Sequence, residues 1–96
     1  MTITAAKVLD ALAVLEPEGD TDAKVAKVVE EALGRRLHHY QYVDRHLQRK
    51  YGMTFAQFRD SRVAEQKGYT FEAESDFWEW ELAQDGIRTL ERLGQR

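Results

Sequence analysis

His38, His39 and His46, with Asp44 among them, are the side chains whose types invite metal or acid–base chemistry. On a helix, His39 and His46 share a face but stand about 10.5 Å apart along the axis. Chelation from one helix face asks for an i, i+4 pair, as in HExxH. The three histidines therefore read as surface residues beside a basic block. The carboxylate pairs Glu72/Glu74 and Glu79/Glu81 are two residues apart, so on a helix they point apart and form no acid–base couple. The chain has no glycine-rich phosphate loop, nucleophile elbow or Ser–His–Asp order, and no cysteine for thiol chemistry. The expectation is a protein without catalytic residues, metal or cofactor.

Two other groups of residues are suited to binding. Residues 35–62 carry seven Lys or Arg against two Asp, whereas 1–34 carry three against seven and 63–96 four against eight. Within the basic block, Arg35, Arg36, Arg45 and Arg49, with Tyr40 and Tyr42 interleaved, could neutralise nucleic-acid phosphates. The acidic last third is expected to fold over part of that block, pairing one with the other. In that last third, Trp78 and Trp80 lie about 160° apart on a helix, so either one is turned toward the flank or the long helix is wide enough to cover both. Trp80 shares the core face with Phe77 and Ile87. Trp78, with Asp76, Glu79, Glu81 and Asp85 near it, is then suited to anchor a protein partner.

The elements that must position these residues are helices. A single proline, six glycines and a high content of Ala, Leu, Glu, Lys and Arg favour long helical segments. Apolar residues recur at helical spacing over 3–15, and Pro17 and Gly19 close that first element within residues 1–20. Asp20, Thr21 or Asp22 can cap the next helix, read as 22–51 on the stripe Ala26, Val29, Leu33, Leu37, Tyr40, Val43, Leu47 and Tyr51. Gly34 is its weak point at about 1 kcal/mol, and the periodicity continues past it. Gly52 suits a left-handed stop. Thr54 and Gln57 have the spacing of a capping box, with Met53 and Phe58 as its hydrophobic staple, opening a short helix over 54–62. A polar loop follows, and a last helix is expected over 75–93 with Ser75 as its cap. No apolar run approaches the roughly 18 residues of a membrane span, and Met1-Thr2-Ile3-Thr4 lacks the charged n-region of a secretory peptide, so an intracellular protein is expected.

The segments Lys50-Tyr51-Gly52-Met53-Thr54-Phe55 with Phe58, and Asp76-Phe77-Trp78-Glu79-Trp80, resemble a group of small prokaryotic helical proteins. Their pattern is KYGM(S/T)FxxF closing one helix and D(F/Y)xEW near the start of a returning one. The resemblance covers roughly Leu37–Leu93. Such proteins are often encoded beside a candidate toxin and regarded as antitoxin-like. It implies a helical hairpin and a protein partner, and carries no catalytic residues.

The combined expectation is one all-α domain over 1–96: a long-helix, coiled-coil-like hairpin, a short capped helix at the turn, and an additional N-terminal helix. A hairpin of this size leaves a long seam exposed, so a dimer or a partner is expected. The first functional expectation is a cytoplasmic, antitoxin-like module that binds a toxin through Trp78, Glu79, Glu81 and Asp85. The second is a DNA- or RNA-binding regulator using Arg35, Arg36, Arg45 and Arg49.

Overall fold

A computed structural model describes residues 2–68 and 70–94, and every regular element in them is an α-helix. In order these are α1 (Ala5–Leu15), α2 (Thr21–Tyr51), α3 (Phe55–Asp60), α4 (Val63–Gln66) and α5 (Phe71–Gly94). Where the sequence suggests one domain, the chain divides into two compact units, Met1–Arg35 and Arg36–Arg96.

In the first unit, α1 ends where Glu16 takes an extended conformation ahead of Pro17, its N–H still bonded to the Leu12 carbonyl. Leu12 is the buried residue of α1. Gly19 turns the chain with φ +96°. Asp20 then caps α2, its carboxylate accepting from the Ala23 N–H at 2.8 Å, one of the donors a helix start leaves unpaired. Lys27 reaches back to Glu16 at 3.2 Å. The apolar stripe expected here is displaced: Ala26 and Val29 are exposed, and Val28 is half-buried. α2 passes through Gly34 without a break.

The second unit is built around the turn. Gly52 adopts φ +66° and its N–H bonds the Gln48 carbonyl at 2.8 Å, which closes α2 in a conformation that costs most residues a Cβ clash. Thr54 Oγ1 accepts from the Gln57 N–H, and Gln57 Oε1 accepts from the Thr54 N–H at 2.9 Å, completing the capping box. Met53 packs against the core and Phe58 is fully enclosed in it, as the staple requires.

The chain does not then run as a plain polar loop. Arg62 takes a left-handed conformation (φ 54°), and Val63 is buried at the start of the short α4. The last helix also begins earlier than Ser75. Thr70 Oγ1 accepts from the Ala73 N–H at 3.2 Å, so the chain is already helical by Phe71. The four added residues bury Ala73 completely.

α5 returns antiparallel to the C-terminal half of α2. Pairings descend along one helix as they ascend along the other: Lys50 with Glu72 and Asp76, Asp44 with Trp80 and Gln84, Tyr40 with Gly86. Between them lies a core of Val43, Leu47, Phe55, Phe58, Val63, Trp80 and Ala83. Trp80 is its largest member and has no exposed surface. Phe55 and Phe58 meet its ring at centroid distances of 5.5 and 5.2 Å. Tyr51 meets Phe58 edge-on at 4.6 Å. Such aromatic pairs add about 0.5–1.5 kcal/mol beyond the area they bury.

Candidate functional site

What α5 exposes follows from what it buries. Trp80 points into the hairpin, and its indole N–H donates to Asp44 Oδ1 at 2.9 Å. Trp78, two residues earlier and so turned about 160° the other way, is 66% exposed. Phe71 and Leu82 lie seven residues before and four after it on the same face and are also exposed. The outward side of α5 therefore carries a stripe of Phe71, Trp78 and Leu82, while Phe77, Trp80 and Ala83 face the core.

The acids around Trp78 are not those expected in every case. Asp76 is turned inward, where its Oδ2 accepts from Lys50 Nζ at 2.7 Å and from the Tyr51 hydroxyl at 2.5 Å. Glu79 is exposed but rotated about 100° from Trp78. Glu81 and Asp85, three and seven residues on, share the face of Trp78, and Asp85 pairs with Arg88. Glu74, four residues earlier and exposed, also lies there. Its i, i+4 spacing to Trp78 was the signal for it. A groove of about 450 Å³ opens beside Trp78, with Phe58, Arg59, Arg62, Val63 and Phe77 among its walls.

The pairing at the turn end of the hairpin has chemical consequences. Lys50 binds Asp76 and, at 2.5 Å, Glu72. These two hydrogen bonds to carboxylates, Asp76 first, drive the Lys50 ammonium well above the usual lysine range. Burial, followed by the hydrogen bond to Asp76, pushes the Tyr51 phenol up to about 12. Lys50 is thus neutralised within the fold.

The acidic helix covers part of the basic block, as the charge pattern suggested, and leaves other arginines outside that cover. α5 lies over the side of α2 that carries Tyr40, Val43 and Leu47. Arg36, Arg45 and Arg49 of this unit are exposed and pair with no carboxylate among the described residues. Arg45 and Arg49 are four apart and share a face. Arg36 is nine residues before Arg45, about half a turn away, so the helix does not bring those two together. Arg35 is exposed in the first unit.

Among the described residues, no three His, Cys, Asp or Glu side chains are grouped so as to hold a metal ion. No helix there is long and apolar enough to cross a membrane. Asp44, passed over as a metal ligand, instead takes hydrogen bonds from Trp80, Gln84 at 2.7 Å and Gln48 at 3.1 Å. No family model, curated protein or solved structure matches the chain.

Proposed function

We propose that this chain is a non-enzymatic protein-binding module, an antitoxin-like protein of the prokaryotic cytoplasm that neutralises a toxin by direct contact. The observation that carries this reading is the exposure of Trp78 between Phe71 and Leu82 on the outward face of α5. Exposed apolar surface rimmed by charge is characteristic of a protein-docking patch, and tryptophan is among the side chains enriched as its anchors. Glu81 and Asp85, with Glu74, supply the acidic rim for a basic partner surface, and Glu79 lies at its edge. The groove beside Trp78 offers a seat for an apolar side chain of the partner. The resemblance of Lys50–Phe58 and Asp76–Trp80 to antitoxin-like proteins supports the same assignment. In the absence of its partner, the exposed stripe is expected to pair two copies of the chain.

Co-expression with the product of the neighbouring gene tests the proposal. A stable complex is expected, weakened about 30-fold or more by Trp78→Ala, as for an interface hot spot of 2 kcal/mol or above. Full affinity in that variant would remove the anchor role. A chain that stays a symmetric dimer and captures no partner would remove the antitoxin reading.

A second reading, a DNA- or RNA-binding regulator, is favoured by the bare arginines of α2. Arg45 and Arg49 lie on the side turned away from the acidic helix. Affinity for nucleic acid that falls steeply with salt, and falls again when these arginines are neutralised, is the expected result.

A further inference from the structure

Tyr42 stands at the centre of a helix face with an unusual composition. It is 62% exposed, and the positions that share its face on α2 are i−4, i−3, i+3, i+4 and i+7. These are His38, His39, Arg45, His46 and Arg49, all exposed. Each is a nitrogen base or a cation, and none is a carboxylate. The only acid in residues 36–51 is Asp44. Its oxygens are committed to Trp80, Gln84 and Gln48, on the side of the helix that faces α5. The His46 ring lies nearly parallel to that of Tyr42, with centroids 6.0 Å apart and planes inclined by 6°.

We propose that the outward face of α2 from His38 to Arg49 binds single-stranded nucleic acid. Tyr42 and His46 stack unpaired bases, and Arg45 and Arg49 meet the phosphates between them. The inference rests on the nucleic-acid reading above and makes it specific. Arginines alone would serve duplex and single strand alike, because both present phosphates. An exposed tyrosine with a parallel imidazole adds what only an unpaired base can use, an open π-face against its own. The surface is convex and belongs to one helix, so it follows a flexible strand without requiring a cleft. Its separation from the Trp78 stripe, which lies on the other helix, leaves both faces accessible at once.

The test is fluorescence anisotropy with a labelled oligouridylate of roughly twelve nucleotides, set against an RNA duplex of the same length. The single strand is expected to bind about tenfold more tightly than the duplex. Tyr42→Ala should lower single-strand affinity about tenfold and leave duplex affinity unchanged, since one base stack is lost. Arg45→Gln with Arg49→Gln should reduce the salt slope by about 1.4, or 0.7 for each phosphate contact on a single strand. Equal affinity for both nucleic acids with Tyr42→Ala inert would overturn the stacking proposal while leaving the broader reading standing. No binding of either would overturn both. Both outcomes are readable because Tyr42, Arg45 and Arg49 are exposed, so helical content measured by circular dichroism should match the parent in every variant.

Discussion

The ring of Tyr40 lies directly against the backbone of Gly86. A Cβ placed on Gly86 would fall 2.8 Å from Tyr40 Cζ and closer still to Cε2 and Cδ2. A glycine within a helix costs about 1 kcal/mol relative to alanine, and here the missing side chain is what lets α2 and α5 approach. Gly86→Ala is expected to destabilise the protein by about 1–3 kcal/mol, the usual range for overpacking. Gly34 is the control: a Cβ there meets nothing within 4 Å. Gly34→Ala should therefore stabilise by about 0.5–1 kcal/mol. Urea unfolding of both variants checks the pair, and the same sign of change in each would contradict the packing described.

Trp78 and Trp80 should respond oppositely to truncation. Trp80→Ala removes the centre of the aromatic core and should cost about 3–5 kcal/mol. Trp78→Ala should change stability by no more than about 0.5 kcal/mol, as expected for an exposed side chain. A large loss of stability in Trp78→Ala would mean that it serves the fold rather than a partner.

Much of this arrangement was legible from local chemistry, and the rest was not. Gly52, Thr54 and Gln57 act on backbone groups within four residues of themselves, so spacing alone identified the stop and the cap. The 160° separation of the two tryptophans set them on different sides of α5, but which one lies bare depends on how much of α5 the long helix covers. The start of α5 was misplaced because Thr70 and Ser75 offer the same capping chemistry. The choice between them accompanies the burial of Ala73 against the fold. Sequence spacing sets Asp76 beside Trp78 and does not reveal its inward turn, because its partners, Lys50 and Tyr51, are twenty-five or more residues away. The contact of Tyr40 with Gly86 depends on the register of two helices, although a glycine inside a helix was its available signal. Segment charges carry sign but not direction, so the sequence names Arg45 and Arg49 as candidates without showing that they face away from α5.

Asp44 is expected to tolerate one substitution better than another. Asp44→Ala leaves the buried Trp80 indole N–H without an acceptor and should cost about 1–3 kcal/mol. Asp44→Asn keeps a carbonyl oxygen that can accept from Trp80, so its loss should be smaller. Thermal unfolding ranks the two variants, and equal losses would show that the hydrogen bond to the indole contributes little.

The turn end of the hairpin should weaken in alkali. Tyr51 has its folded pKa raised from about 10 to about 12, and Lys50 is shifted in the same direction. Both groups hold their protons more tightly when folded. Their stabilisation is complete below the unfolded pKa and is lost as pH rises through the folded one. Stability should therefore decline above about pH 10. Phenolate absorbance should show a tyrosine step near pH 12, and Asp76→Asn should move that step to lower pH. No late-titrating tyrosine would contradict the Asp76 pairing.

The carboxylate of Asp44 takes donors from its own helix and from α5, and this limits where α5 can sit. Helices with three- and four-residue apolar spacing can slide past one another by a turn of about 5.4 Å and still match apolar to apolar. A slide of that size here would part Asp44 from Trp80, drive Tyr40 off Gly86 and separate Lys50 from Asp76. Three unlike contacts would shift together; Glu72, one turn before Asp76, would keep Lys50 paired, but α5 has no second tryptophan one turn from Trp80 and no second glycine one turn from Gly86. The hairpin thus has a single setting, and the surface inherits it. With Trp80 keyed to Asp44, the direction in which Trp78 faces is fixed by a residue that never meets the partner.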